Sequence, residues 1–446
     1  MFVRRRYLAV LLWAAACAAQ TGNERPPLQL TLKRAVEMAL SPEGSARIQL
    51  AGEAVRQAQS RSAEARGALL PNIEAAVSEQ SMTRNLKALG VSFESPIPGF
   101  AFPAFVGPFN VFDARASVTQ SVFDFSTIRR YQASRAGVQA SKADRDAADD
   151  QVAGQVAQAY IAVLRAEAEL EADRANVELA EAVLKQSENQ KAAGSGTGIE
   201  VTRARVQLSN EKQRLVVAEN GRRRTELQLL RAMNMRLDTA LVLADKLSYV
   251  PVEAERIEKA RADAIELRAD LRAQQERERN ASLSASATKL ERLPSVSAFG
   301  DYGSSGTALN NSLPTRVIGV SMRVPIFDGG KREARRAESA SGFRQEQIRT
   351  RDLREQIQLE VQLALASLRS AEDQVKVAEE GLTLSENELA QARRRYDAGV
   401  ANSLEVTDAQ TRLARARDNR ISALFSYNQA RIDLGQATGA IRRMIQ

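Results

Sequence analysis

A seven-residue beat of Val and Leu runs through this 446-residue chain twice. Val156, Val163, Leu170, Val177 and Leu184 form the first run, and Val361, Leu368, Val375, Leu382 and Leu389 form the second, each 205 positions after its counterpart. Small residues keep the same offset at Ala159/Ala364, Ala166/Ala371 and Ala180/Ser385, and only Asp173, opposite Ala378, breaks the match. A sustained period of seven marks helices that supercoil and pack along an apolar seam, and its repetition marks duplicated architecture. The chain therefore reads as two tandem structural repeats, residues 30–240 and 250–440.

Aromatic residues make up only 5% of the chain and alanine is plentiful, so helices can approach closely without building a thick core. That supply suits an elongated body better than separate globules. The formal net charge is +8, but its cations are interspersed with Asp and Glu along helices, as on a solvated surface. With neither zinc-finger spacing nor an aromatic platform, the pattern speaks against nucleic acid as a partner. There is no histidine, and the one cysteine, Cys17, lies in the leader. Imidazole acid-base chemistry, thiol catalysis and the common zinc sites are thereby excluded, and no phosphate-binding loop appears. No enzyme activity, cofactor or metal is expected.

Residues 1–19 combine Arg4 to Arg6, a short apolar run from Tyr7 to Trp13, and small residues around Cys17, the pattern of a secretory signal peptide. Two readings of Cys17 stay open: an ordinary leader residue, or the lipid-modified first residue of a lipoprotein whose leader ends just before it. Ala14 stands where lipoprotein leaders usually carry Leu. No later stretch reaches the roughly 18 apolar residues of a spanning helix, so a membrane role would have to come from strands.

A helix is expected from Leu30 to Gly67, stopped at Leu70-Pro71, and its counterpart from Val252 to Arg292, stopped at Leu293-Pro294. Each Leu-Pro is followed by a strand pair closing on Phe-Asp, at Phe123-Asp124 and Phe327-Asp328. Ala116, Val118 and Val122, matched by Val320, Met322 and Ile326, alternate with polar residues. Such alternation fits a barrel strand with lipid on one side and water on the other, and equally a half-buried strand of a soluble sheet. Four strands cannot close a barrel, and lipid tolerates no open edge, so a membrane reading requires three copies sharing twelve strands. Between the first two strands, Asn85 to Asp113 holds Pro96, Pro98, Pro103 and Pro108 among six phenylalanines. It is expected to be irregular throughout, an outer-face loop bordering the barrel or one whose phenylalanines anchor at the bilayer interface. Two long helices follow, Thr127 to Lys191 and Gly330 to Asp397, each on the order of 100 Å at 1.5 Å per residue. They turn at Ala193-Gly194 and Ala398-Gly399, ahead of Glu200-Val201-Thr202 and Glu405-Val406-Thr407.

In this order, twice over, these features resemble the TolC-type outer-membrane efflux proteins. The carriers are Leu-Pro, strands, Pro325-Ile326-Phe327-Asp328-Gly329-Gly330, a heptad helix, and Tyr396-Asp397-Ala398-Gly399 followed by Leu404 to Gln410. The resemblance spans Leu30 to Gly439. It implies a mainly α fold with a small β part, long coiled-coil hairpins, and a homotrimer whose chains each give four strands to a twelve-stranded barrel in the outer membrane of a Gram-negative-type bacterium. It also implies a periplasmic helical tunnel whose tip turns, marked here by Gly194, Glu200 and Gly399, meet a periplasmic adaptor protein. By position, Glu405 and Asp408 would narrow the pore, with Tyr396 and Arg203 as partners in closing it. Glu405 stands where the family often has Asp, and Ala401 stands where some members have an arginine. The plainer reading makes both carboxylates exposed charges pairing along a helix. The function implied is a passive exit duct served by an inner-membrane transporter, for efflux or type I secretion. The alternative is a periplasmic coiled-coil adaptor bridging the two membranes, which would normally carry one hairpin flanked by compact β-rich domains.

Overall fold

The structure, a computed structural model, describes residues 28–88, 90, 105–252, 254–401 and 403–445; the leader with Cys17 and most of the proline- and phenylalanine-rich loop lie outside these. In chain order the elements are β1 (Leu28–Leu30), α1 (Leu32–Ala39), α2 (Ala46–Gly67), β2 (Asn72–Asn85), β3 (Phe105–Phe123), α3 (Phe125–Ala192), α4 (Gly198–Ala232), β4 (Leu241–Leu243), α5 (Ala254–Leu267), α6 (Ala269–Leu290), β5 (Ser295–Gly306), β6 (Ser312–Arg323), α7 (Lys331–Asp397), α8 (Ser403–Ala437) and α9 (Ile441–Ile445). The duplication is visible in the lengths: α3 and α7 have 68 and 67 residues, and α4 and α8 have 35 each. The fold is mainly helical with a small sheet part, as expected. Two compact units form, one from 1–50, 147–268 and 356–446, the other from 51–146 and 269–355, so each draws on both halves of the chain.

The second unit holds an antiparallel sheet in the order β2-β3-β5-β6. Its register aligns Ile73 with Val118, Val118 with Gly300, and Gly300 with Ile318, while Ala298 pairs with Val320 and Val296 with Met322. Because side chains alternate across a strand, these residues share one face, which is apolar and exposed in the protomer. The other face carries Asn72, Glu74, Ser117, Thr119, Arg115 and Asp301. Among the described residues, β2 and β6 each have a neighbour on one side only.

Four sequence expectations need correction here. The helix expected over Leu30–Gly67 is β1, α1 and α2, because Pro42 offers no N–H to continue the helix. Gly44 lies so close to the end of α1 that a Cβ there would stand 2.3 Å from the Ala39 carbonyl oxygen. The helix expected over Val252–Arg292 is likewise α5 and α6, interrupted at Arg268. That guanidinium pairs with Glu360 and reaches the Ala437 carbonyl oxygen at 3.4 Å, and Gly439, at φ +68°, packs on its backbone. The region expected to be irregular up to Asp113 is strand from Phe105 onward. Pro108 is tolerated because it falls where the β2–β3 register shifts between Met82 and Arg84, an irregularity of the kind that relieves a proline of its ladder bond. At the other strand pair, β6 stops at Arg323, so Phe327-Asp328 lies beyond the strand and Phe327 is exposed.

In the first unit, Val156, Val163, Val361, Leu368 and Val375 are fully or nearly fully buried, as the heptad beat requires. After Leu170 the first seam moves by one position: Val177 and Leu184 are half-buried, while Asn176, Ala180, Val183 and Ser187 are buried. A helix that is not fully underwound drifts by about 20° per heptad, which brings neighbouring positions into the seam. Asp173 stands at this slip, and burial, with Asp418 and Glu211 nearby, pushes its carboxyl above the usual carboxylate range. Arg417 satisfies the buried Asn176 through a 2.8 Å bond to Oδ1.

Candidate functional site: sheet face and helical turns

On the polar face of the sheet, Arg115 pairs with Asp113 two residues before it on β3, and its Nη1 lies 3.5 Å from Asp301 Oδ1 on β5. This places three charged side chains side by side, with Gly303 directly opposite Arg115 in the ladder. Phe299, on the same face, lies over Gly319, whose added Cβ would meet the ring at 2.7 Å. The sheet thus presents an apolar surface on one side and a polar, charged one on the other.

The two hairpin turns are built alike. Gly194 and Gly399 adopt φ +77° and +72°, a left-handed conformation that costs glycine little. Ser195 N and Val400 N bond to the Gln190 and Arg395 carbonyls at 3.0 Å, and Gly194 N and Gly399 N bond to those of Lys191 and Tyr396 at 3.1 and 3.0 Å. These pairs satisfy the last carbonyls of α3 and α7 and reverse the chain tightly.

Past the first turn, Glu200 Oε2 accepts the Thr197 backbone N–H at 2.7 Å and the Thr197 hydroxyl at 2.9 Å, the reach-back half of a capping box. The start of α8 at Ser403 and the Arg203 guanidinium add favourable electrostatics. These contacts, with the Thr197 N–H foremost, hold its carboxyl below the usual carboxylate range. A depressed folded pKa stabilises the turn above the unfolded pKa of about 4.3 and loses that effect as pH falls through the folded value. Hydrogen exchange at the Thr197 amide is expected to accelerate below about pH 4, beyond the intrinsic change in rate. In Glu200→Ala the Thr197 amide should exchange at the fast level throughout, and unchanged protection in that variant would contradict the assignment.

Glu405, the counterpart of Glu200, pairs with Arg395 Nε at 3.0 Å across the second turn. Asp408 and Arg203 are exposed. Tyr396 is buried among Val183, Leu389, Ala392, Val406, Ala409 and Leu413, so within the protomer it packs α7 against α3 and α8. Arg395 was not singled out in the sequence reading. Its signal was available: a cation flanking a glycine turn ten residues before Glu405, close enough to fold back on it. Further along the hairpins, Arg205 pairs with Glu188 at 2.8 Å and Arg412 with Glu388 at 2.9 Å. Among the described residues no cluster of three metal-ligating side chains exists, and no helix is long and apolar enough to cross a membrane.

The model of the family described as outer membrane efflux protein matches residues 42–235 and 260–440. Over 402 residues the chain is 24% identical to the pyoverdine export outer membrane protein OpmQ of Pseudomonas putida, covering 86% of this chain and 81% of the relative. The OpmQ of Pseudomonas aeruginosa is 25% identical over the same length, with 80% of it covered. Among solved structures, the outer membrane protein VceC of Vibrio cholerae superposes with a TM-score of 0.78 at 17% identity, over 92% of this chain and 96% of that one.

Proposed function

The chain belongs to the outer membrane efflux protein family, and from that membership we propose that three copies of it close a twelve-stranded barrel and a periplasmic helical conduit. It is the outer-membrane channel component of an efflux system. The observation that carries the assembly is the four-stranded sheet itself, apolar on one face, charged on the other, with β2 and β6 each short of a neighbour among the described residues. Lipid tolerates neither an open edge nor a buried charge, so three-fold closure turns the Arg115 face inward and leaves the Val118 face to outer-membrane lipid. The repeats 30–240 and 250–440 each contribute two strands and one hairpin. A periplasmic adaptor meets the turns at Gly194, Glu200 and Gly399, and an inner-membrane transporter supplies the energy for passive passage. Cys17 is a further candidate, as a lipid attachment point. A bridging adaptor with a single hairpin is a poorer fit to a chain whose two hairpins each continue into strands.

Glu405 and Asp408 would form the narrow ring, six carboxylates in the trimer, with Arg203 and Tyr396 beside it. Arg395 offsets part of the Glu405 charge, so the exposed Asp408 carries most of the field. Such a ring favours cations over anions. The test is planar-bilayer conductance of the purified trimer under a salt gradient. Wild type should be cation-preferring, and Glu405→Ala with Asp408→Ala should shift the reversal potential toward zero. Unchanged selectivity would remove the ring, and absence of conductance from correctly assembled wild type would remove the conduit.

A further inference from the structure

Where strands give way to helices in the sheet-bearing unit, exposed apolar side chains are followed by cations. Phe123, Phe125 and Ile128 are exposed across the end of β3 and the first turn of α3, as are Ile326 and Phe327 between β6 and α7. Arg129 lies four residues after Phe125 and shares its face of α3. Lys331 opens α7 and Lys289 lies in the last turn of α6. None of these three cations has a carboxylate partner among the described residues; Arg129 donates to Gln132 Oε1 at 2.8 Å.

Two ion-pair clusters adjoin them in sequence. Glu291, with its side chain 13% exposed, takes Arg130 on one oxygen and Arg335 Nη2 on the other at 3.0 Å. Glu333 takes Arg292 and, at 3.7 Å, Arg336. Each cluster sets two cations around one anion. Its guanidinium groups are held in place by the carboxylate and keep N–H donors for another anion of planar or tetrahedral shape.

We propose that this belt binds the phosphodiester headgroups of anionic phospholipids in the leaflet at which the strands end, with Phe123, Phe125, Ile128 and Phe327 seated among the acyl chains. The inference rests on the strands lying in the bilayer. A lipid is the occupant because the cations adjoin an apolar rim continuous with the apolar face of the sheet. A soluble anion or the anionic cell wall would use the charge and leave that rim in water. Aromatic side chains at the interface with basic residues just outside it are what a headgroup region rewards.

The experiment is native mass spectrometry of the detergent-purified full-length protein incubated with equimolar phosphatidylglycerol and phosphatidylcholine. Wild type should retain phosphatidylglycerol at least about five-fold over phosphatidylcholine, an advantage that shrinks as ionic strength rises. Replacing Arg129, Lys289 and Lys331 together by Gln breaks no ion pair and should bring the ratio near one. Arg130→Gln with Arg335→Gln provides a second variant and should lower the ratio in the same direction. Equal retention of both lipids by wild type, or an undiminished ratio in the triple variant, overturns the proposal. So does a triple variant that loses binding to purified cell-wall sacculi while keeping its lipid preference. Conductance of wild type in a phosphatidylcholine bilayer reports the conduit separately, so a conducting protein with no headgroup preference sinks the lipid site alone.

Discussion

Gly303→Val is expected to prevent the sheet from forming, so that no assembled protein is recovered in the outer-membrane fraction. A Cβ at Gly303 would stand 2.3 Å from the Ala114 carbonyl oxygen and 2.5 Å from Arg115 Cβ. The nearest of these atoms is backbone, so no rotamer change relieves the contact and β5 must separate from β3. Overpacking of an ordinary core site costs about 1–3 kcal/mol. Here the displaced atoms also carry ladder hydrogen bonds and the Arg115 pairs to Asp113 and Asp301, so the loss spreads along the strand. Gly300→Ala is the control, since its Cβ would meet nothing closer than the Val317 carbonyl oxygen at 3.4 Å. Membrane fractionation with heat-dependent gel mobility reads both. Normal assembly of Gly303→Val, or failure of Gly300→Ala, would show that the close approach of β3 and β5 is not what keeps position 303 glycine.

Much of this architecture is written in periodicities. A period of seven with a second copy specifies long paired helices, and alternation next to Leu-Pro specifies strands, because side-chain direction follows directly from backbone geometry. What escaped was set by contacts distant in sequence. The stop at Arg268 depends on Glu360 and on the turn at Gly439, neither of which is local. Pro42, by contrast, was in plain view inside the span read as one helix, and its missing N–H denies that continuity. Pro108 misled in the opposite sense, since a register irregularity on the neighbouring strand accommodates it.

The hairpin turns were legible because left-handed glycines and capping carboxylates are local signals. Which carboxylate meets which cation was not. Glu200 and Glu405 are equivalent by the duplication, yet Glu200 accepts the Thr197 N–H while Glu405 also meets a cation, Arg395. The first copy has Gln190 where the second has Arg395, so the same backbone presents different partners. Tyr396, which the resemblance places beside the pore, has its ring in a hydrophobic cluster of the protomer that no local signal announced.

Tyr160→Ala is expected to cost about 3–5 kcal/mol, in the range of an aromatic side chain removed from a packed core. The ring is fully buried beside Leu30, Val36, Leu229, Leu230 and Leu241, where α3, α4 and the β1–β4 pair converge. Its hydroxyl lies 2.7 Å from Asp245 Oδ2 and 2.9 Å from the Leu30 carbonyl oxygen, and the same carboxylate oxygen accepts the Leu32 N–H at 2.9 Å. The hydroxyl has one hydrogen to donate, so Tyr160→Phe forfeits one bond, and Ala244 N and Leu32 N still serve the two acceptors. Its cost should be only about 0.5–1.5 kcal/mol, which separates packing from hydrogen bonding. Burial, reinforced by Asp245, raises the Tyr160 pKa well above its ordinary value. Above about pH 10 the unfolded chain releases a proton that the native chain keeps, so stability falls as pH rises. Tyr160→Phe should flatten that part of the decline. Denaturant unfolding in detergent, followed at pH 8 and pH 11, distinguishes the cases: equal losses for Phe and Ala at pH 8 would place the energy in the hydroxyl, and an unchanged alkaline decline in Phe would assign it to other groups.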